Sequence, residues 1–430
     1  MGDIAIQISL LLATLSLPAT LAMIGSSRKP AESPRGNDEL GILKAVRVQA
    51  CLMITLYHLL FHKFFSGIPG GPWDDVVRAI CVRHIDVFFV LSAYLAVTRS
   101  KEASTRPVLE QIAVSGATLL RRVARTAPFL ITKALLQHVA EGRSVWEAAS
   151  NERSWLGRWP YCQEFVCYAV VHGLLLVSSL FGKLSAVAAA VAGIAYCQHH
   201  RMAFGKILPA YEPALLSNLW MRHLPCSLVV FLICGALTRS NPVREIPDTL
   251  EKTSRCHAAS SCLVHLCYHS GILLTGLLEW CFQFGPCDMV SDWHRPLLHT
   301  FPLAFGCFVL LEHHRRSPKI PPSWIWPIEM LDGVSVSWMH IHCDVMGIMD
   351  SFQAIPSTRL GLLAQTPSLL AWNFLACKVH TWMVEPYKQA MLKAVVKLEA
   401  LANRSLKAWV VLIALAAMCF RGSLQLCRVP

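Results

Sequence analysis

Residues 47–65, RVQACLMITLYHLLFHKFF, decide the fold of this chain. Their apolar side chains form a continuous run rather than an alternating one, which predicts a helix and not a strand. A helix that spans a membrane needs about 20 mostly apolar residues, and the run from 45 to 66 has that length. The stretch also carries Arg47 near one end and His58 in its apolar middle. An imidazole in hydrocarbon costs free energy unless another group satisfies it, so His58 is the first candidate functional residue.

The rest of the chain has the same apolar character. Of its 430 residues, 54% are hydrophobic and 15% are charged, whereas soluble domains carry about 25% charged residues. Further apolar runs lie near 4–24, 82–98, 127–140, 163–182, 184–197, 219–237, 260–281, 297–312, 334–350, 361–383 and 408–420. These runs predict an all-α fold, a polytopic integral membrane bundle of about ten core helices with one or two extra terminal hydrophobic segments.

Lys and Arg concentrate in alternate loops, and the richer side is predicted to be cytoplasmic. This topology puts the polar connection 99–126 in the cytoplasm and the connection 141–162 on the opposite side. It also explains the net charge of +12 without a nucleic-acid partner, because no nucleic-acid-binding motif occurs. The run 4–24 lacks a basic start and is followed by Arg28 and Lys29, which favours a retained helix over a cleaved signal peptide.

A cluster of arginines precedes the run 127–140, in the stretch LLRRVARTAP at 119–128. Arg122 and Arg125 are three residues apart and share a helix face. Two neighbouring guanidinium groups repel each other and therefore favour a dianionic partner. Anionic lipid headgroups and a phosphorylated ligand both fit this requirement. Arg47 is a further candidate, because its planar fork suits phosphate oxygens.

Two acidic residues stand near the ends of predicted spans. Asp86 precedes an apolar stretch that contains Ser92, and Glu164 is followed one turn later by Tyr168. Either acid could orient His58, bind sugar hydroxyls or cap a helix N-terminus. His58 itself fits a general base or a hydrogen bond to a neighbouring helix. No metal is predicted, because RCHAASSCLVHLCYH at 255–269 lacks CxxC or HExxH spacing.

In their order along the chain, these features resemble the motifs of the acyltransferase 3 family. This family of polytopic membrane O-acyltransferases includes bacterial polysaccharide O-acetyltransferases and nose-resistant-to-fluoxetine-like animal proteins. The matching positions are Arg47 with His58; IDVFFVLSAYL at 85–95; Arg122, Arg125 and Pro128; Trp159, Glu164 and Tyr168; Ser335 with His342; and Glu385 with Pro386. The chain departs from the family pattern at Ala93, where glycine is usual, and at Met339-His340, where Tyr-Leu is expected.

The resemblance covers residues 43–388 and implies one membrane domain there. Residues 1–42 would form an N-terminal hydrophobic segment and a cytoplasmic linker. Residues 389–430 would form a cytoplasmic amphipathic stretch and a C-terminal hydrophobic segment. The implied location is the plasma membrane or a secretory-pathway membrane.

The resemblance also implies transfer of an acyl group, with acetyl expected, from acyl-CoA to a hydroxyl of a carbohydrate, glycolipid or lipid-like acceptor. Acyl-CoA would be a co-substrate and not a permanently bound cofactor. His58 would be the general base, oriented by Asp86 or Glu164; a covalent acyl-histidine route stays open. Arg47, Arg122 and Arg125 would bind the coenzyme A phosphates, and Ser92, Tyr168 and His342 would contact the substrate.

Two other functions remain open on the sequence. A transporter or channel would also place His, Asp and Glu along a path through the membrane. A non-catalytic membrane protein could retain the fold, as the substitutions at Ala93 and Met339 allow. The clustered arginines and the lack of an inverted repeat favour the acyltransferase over the transporter.

Overall fold

The computed structural model describes residues 41–61, 72–100, 107–141, 159–207, 224–240, 254–284, 295–316, 322–351, 358–402 and 406–426. The predicted N-terminal segment 4–24 lies outside these residues. Throughout the described ranges the backbone is almost entirely helical and contains no strand, which confirms the all-α prediction.

Twelve helices make up the described part of the chain. They are α1 (Gly41–Phe61), α2 (Pro72–Val82), α3 (His84–Ser100), α4 (Val108–Glu141), α5 (Trp159–Phe181), α6 (Lys183–Ile207), α7 (Leu224–Ser240), α8 (Ser254–Phe284), α9 (Arg295–Arg316), α10 (Pro322–Ser351), α11 (Arg359–Ala402) and α12 (Leu406–Leu426).

The helix boundaries follow local sequence signals. Gly182 adopts a φ of 87° between α5 and α6, a left-handed conformation that glycine adopts without steric cost. At the start of α11, the Thr358 hydroxyl accepts a hydrogen bond from the Gly361 amide at 3.2 Å, as an N-cap does. These two boundaries therefore have a local chemical cause.

Several helices are longer than the apolar runs predict, including α6, which continues to Ile207 rather than ending near 197, and α10, which begins at Pro322 rather than near 334. α4 begins at Val108 rather than near residue 127, and α11 continues to Ala402 rather than ending near 383. Between 108 and 126 the sequence has no proline and is rich in Ala, Leu and Arg, which favour helix. The polar connection predicted over 99–126 is thus helical from Val108 onward.

By its internal contacts the chain divides into two compact units. The first unit takes its described residues from Met1–Leu91, Leu232–Ser335 and Met346–Trp372. The second takes them from Ser92–Phe231, Val336–Val345 and Asn373–Pro430. The sequence had predicted one membrane domain over 43–388.

In the first unit, α8 packs closely against α9 and α2 at glycines. A Cβ at Gly271 would come within 2.3 Å of the Pro302 carbonyl oxygen, and one at Gly276 within 2.6 Å of the Ile80 side chain. Small residues allow helix backbones to approach in this way. The contacts of Gly271 with Pro302 and of Gly306 with Tyr268 show that α8 and α9 are antiparallel.

In the second unit, α4 packs against α5 and α12. A Cβ at Gly116 would lie 2.8 Å from Leu412, the centre of an apolar cluster that joins α4, α11 and α12. The members of this cluster are Ala117, Leu120, Ala402, Leu412 and Ala416. The C-terminal hydrophobic run thus packs as a helix against α4.

Three helical stretches of the described residues are long and apolar enough to cross a membrane: 41–59, 79–98 and 163–181. Shorter apolar stretches occur in α6, α7, α8, α9 and α12. Large apolar side chains are exposed on several of these helices, including Leu184, Leu263 and Val410. The structure therefore contains three helices that meet the length and hydropathy of a span.

Candidate functional site

The nine predicted site residues are distributed over both units. Arg47, His58 and Asp86 belong to the first unit, and Ser92, Arg122, Arg125, Glu164, Tyr168 and His342 belong to the second.

In the first unit, Arg47 pairs with a carboxylate of α10. Arg47 Nε lies 3.2 Å from Asp332 Oδ1, and Lys44 Nζ lies 2.9 Å from Glu329 Oε1 one turn earlier. Cys51 Sγ donates to the Ser335 carbonyl, so the two helices run parallel along this edge. Burial raises the pKa of the Asp332 carboxyl, although Arg47 and Lys44 oppose the rise. Sequence reasoning missed both acids, which lie just before the predicted span 334–350.

His58 lies on the same helix, about 16 Å beyond Arg47 along its axis. Its ring is half-buried and meets the edge of the Tyr57 ring, with 5.0 Å between centroids. The predicted depth difference between Arg47 and His58 therefore follows directly from the continuous helix α1.

Asp86 is fully buried and is held by an arginine three residues away. Arg83 Nη1 lies 2.9 Å from Asp86 Oδ2, and both side chains are 1% exposed. The pair forms at the turn between α2 and α3, where the Asp86 amide also donates to the Arg83 carbonyl at 3.0 Å. Sequence reasoning missed this pair, although the i, i+3 spacing of opposite charges indicates it.

In the second unit, three predicted residues from three helices form one network. The Ser92 hydroxyl of α3 donates to Glu164 of α5, and Arg122 of α4 forms an ion pair with the same carboxylate. Glu164 is 4% exposed and Ser92 is 6% exposed, so the network lies in the interior of this unit. Its charges balance, which lowers the cost of burying them.

The ion pair in this network is incompatible with the membrane depths predicted for Arg122 and Glu164. The predicted topology puts Arg122 at the cytoplasmic end of the run 127–140 and Glu164 at the opposite end of the run 163–182. Their ion pair requires both side chains at one depth. Arg122 lies near the middle of the 34-residue helix α4 and not at its end. The sequence therefore placed at least one of the two residues wrongly.

Two further predicted residues of the second unit, Arg125 and Tyr168, each lie one helical turn from a member of this network. Arg125 follows Arg122 by one turn of α4 and is exposed. Arg121, which directly precedes Arg122, pairs with Glu399 of α11. Tyr168 is buried one turn after Glu164 and contacts the His172 ring, with 4.8 Å between centroids.

A second polar cluster in this unit centres on Lys133, which the sequence interpretation missed. Lys133 is 2% exposed, donates to the His340 carbonyl at 2.8 Å and pairs with Asp344 at 2.9 Å. Phe129 stacks on the His340 ring, with 5.9 Å between centroids. The sequence signal was present, because a lysine inside the predicted span 127–140 is costly without a partner.

His342 and His380 add hydrogen bonds to the same region of the second unit. His342 Nδ1 lies 2.8 Å from the Trp338 carbonyl and its Nε2 lies 3.3 Å from Cys343 Sγ. His380 Nδ1 lies 3.2 Å from the Ser337 hydroxyl. The imidazole of His342 is thus oriented by its own helix.

Comparison with known proteins gives no relative from which to transfer a function. No family model, no curated protein and no solved structure matches this chain.

Proposed function

We propose that this protein is a multi-pass membrane O-acyltransferase that transfers an acyl group, expected to be acetyl, from acyl-CoA to a hydroxyl-bearing acceptor. The observation that carries the proposal is the buried network of Ser92, Arg122 and Glu164. The resemblance to the acyltransferase 3 family selected these three residues separately. Their meeting in one unit is what a shared site for those motifs requires.

The network has the chemistry of a site for polar substrate groups. Burying a carboxylate, a guanidinium and a hydroxyl costs free energy even when they are paired. Such groups are rare inside apolar bundles, and functional sites account for many of the cases in which they occur. A guanidinium beside a hydroxyl offers N–H donors and an O–H group to a hydroxylated or phosphorylated ligand.

The membrane location is supported by the three span-length helices and by the exposed apolar side chains on α6, α8 and α12. Exposure of these apolar side chains to water costs free energy, whereas a lipid bilayer would cover them. We propose about ten spans, in the plasma membrane or a secretory-pathway membrane.

In the proposed reaction, His58 removes the proton of the acceptor hydroxyl while its oxygen attacks the thioester carbonyl. The carbon–sulfur bond breaks, and the coenzyme A thiolate leaves and takes up a proton. Arg125 and Arg122 of the second unit bind the phosphates of coenzyme A. Because the Arg125 side chain is exposed and the Arg122 side chain is partly buried in its ion pair with Glu164, we expect Arg125 to contribute most to phosphate binding.

The first experiment is binding of acetyl-CoA to the detergent-solubilised protein. Arg125→Ala should weaken binding at least about tenfold, because a hydrogen bond to a charged group contributes about 1.5–3 kcal/mol. Arg121→Ala is the matched control: it removes the same charge one turn away, from a residue that pairs with Glu399. Equal losses of acetyl-CoA affinity in both variants would show that the loss comes from the changed net charge and not from a contact of Arg125 with phosphate.

The catalytic role is tested by the release of coenzyme A thiol in membranes that contain the protein. His58→Ala should reduce the rate by about 100-fold or more, as expected for loss of a general base. Full-rate release by a variant that still binds acetyl-CoA would end the proposal for His58.

The alternative is a transporter, which the pair of buried Lys133 with the partly exposed Asp344 favours. Ionisable groups inside apolar helices are typical of proton and ion paths. Well-folded wild-type protein that does not bind acetyl-CoA would favour this alternative over the acyltransferase.

A further inference from the structure

Four histidines of the first unit, on α8 and on the helices next to it, form a series that lies outside the residues proposed for acyl transfer. His265 and His269 lie on α8, His84 begins α3, and His313 lies near the end of α9. The His265 and His269 rings are stacked, with 6.4 Å between centroids. His269 interacts electrostatically with His84, and His265 with His313.

The helix contacts give the order of these histidines along α8. Gly271 packs against Pro302 and Gly306 against Tyr268, which places His313 about one turn before His265 along α8. Gly276 packs against Ile80, four residues before His84, and His84 interacts electrostatically with His269, so His84 lies near His269 at the other end of the series. The order is therefore His313, His265, His269 and His84.

The four imidazoles cover part of a membrane's depth. By the helix register, the levels from His313 to His269 extend over about 12 Å of a hydrocarbon core about 30 Å thick. The buried hydroxyl of Thr275, six residues after His269 on α8, lacks a hydrogen-bond partner among the described residues and extends the polar series. In the predicted topology His313 stands at the cytoplasmic end.

The surroundings suit the movement of a proton better than the binding of a metal ion. The ring nitrogens of His269 and the Nε2 of His84 have no hydrogen-bond partner among the described residues. Within the described part of the chain, these four side chains do not converge as ligands of one ion. Asp86, buried with Arg83, interacts electrostatically with His84 and with Cys307, which in turn interacts with Tyr268. The ion pair of Asp86 with Arg83 therefore lies next to His84, at the end of the series opposite to His313.

We propose that His313, His265, His269 and His84 form a proton-transfer path through the first unit. A proton binds one ring nitrogen of His313, and the proton on its other nitrogen passes to His265. The same exchange is repeated at His269 and His84, and His84 releases a proton to water at the end of the path opposite to His313. Each ring then rotates back, so each imidazole returns to its neutral form. A single bridging water molecule can span separations such as the 6.4 Å between the ring centroids of His265 and His269.

This proposal rests on the membrane location proposed above but not on acyl transfer. The test is proton flux into liposomes that contain the purified protein and a pH-sensitive dye. A potassium gradient with valinomycin supplies the driving potential. Wild-type vesicles should acidify faster than empty vesicles, and His269→Leu should reduce the excess rate at least about tenfold, because the series is interrupted at its centre.

His172→Leu is the matched control, because it removes a buried imidazole from the second unit, outside the path. Its flux should stay within about twofold of wild type, as the series along α8 is intact. If His269→Leu does not fold, His269→Gln replaces it, since glutamine is polar but does not bind a proton near neutral pH.

Wild-type flux at the level of empty vesicles, or wild-type flux in the folded His269 variant, would overturn the proposal. Acetyl-CoA binding is measured on the same preparations. Loss of flux with retained binding, or the reverse, therefore identifies which of the two proposals has failed.

Discussion

The first and second units both bury charged side chains, but the fully buried ion pair of the first unit is local in sequence, whereas the pairs that hold buried Glu164 and Lys133 in the second unit are long-range. In the first unit, the fully buried pair joins Arg83 to Asp86, three residues away on the same turn. In the second unit, Arg122 pairs with Glu164 and Lys133 pairs with Asp344, each on a different helix. A local pair can form as soon as its turn forms, whereas the long-range pairs require packed helices. Single and double substitutions can separate these two cases.

The largest effect on stability is expected at Arg83. Arg83→Met should lower the free energy of unfolding by about 3–5 kcal/mol, because it leaves the Asp86 carboxylate buried without its partner. The double variant Arg83→Met/Asp86→Leu should recover most of this loss. Thermal unfolding of the detergent-solubilised proteins, followed by tryptophan fluorescence, measures both changes. Equal stability of the single and double variants would show that the turn, and not the charge, carries the effect.

A smaller effect is expected for Arg122, whose side chain is 29% exposed. Arg122→Met should cost about 2–3 kcal/mol, since Glu164 is left with only the Ser92 hydroxyl. Arg122→Met/Glu164→Gln should unfold near the wild-type temperature and yet fail to release coenzyme A thiol. A stable double variant with wild-type turnover would remove the network from the proposed site and leave it a structural role.

Lys133 should give a comparable or smaller loss, because its partner Asp344 is 35% exposed and can be solvated. Lys133→Met should cost about 1–3 kcal/mol through loss of the bonds to Asp344 and to the His340 carbonyl. Lys133→Met/Asp344→Asn should recover only the share that belongs to the ion pair. The double-mutant cycle on unfolding temperature measures that share, and an additive result would mean that the ion pair contributes nothing.

The smallest effect is expected at the partly exposed pair of Arg47 and Asp332, and it should depend on pH. Burial already raises the pKa of the Asp332 carboxyl. Arg47→Gln removes the cation that opposes this rise and should raise the pKa further. A carboxyl whose pKa is higher in the folded state favours the folded protein at low pH and loses that contribution as pH increases through the folded pKa.

Arg47→Gln should therefore be less stable than wild type by about 1 kcal/mol at pH 7 and should approach it as the pH is lowered toward 5. Unfolding temperatures between pH 5 and 8 measure this difference. Arg47→Gln/Asp332→Asn should show no such pH dependence. Lys44→Ala, which breaks the neighbouring pair with the half-exposed Glu329, should cost less than about 1 kcal/mol at any pH in this range.

The sequence located most helices of the described residues because continuous apolar runs are local signals, but it predicted no helix over Pro72–Val82. It selected Ser92, Arg122 and Glu164 individually, through their types and spacing, but not the contact that joins them. It missed the pair of Lys133 with Asp344, although a lysine inside an apolar run is itself a signal that a partner exists. It also missed the pair of Arg83 with Asp86, although their spacing indicates a pair within one turn.

The sequence by itself determined the all-helical class, the apolar runs and the residue types available for chemistry. These properties depend on composition and on interactions within a few residues. Only the tertiary structure decided the partners of Glu164, Lys133 and Arg47, and the order of the four histidines along α8. Those arrangements depend on which helices pack together and in which direction. No single helix carries that information, because a charged side chain pairs with whichever opposite charge the packing places at its own depth.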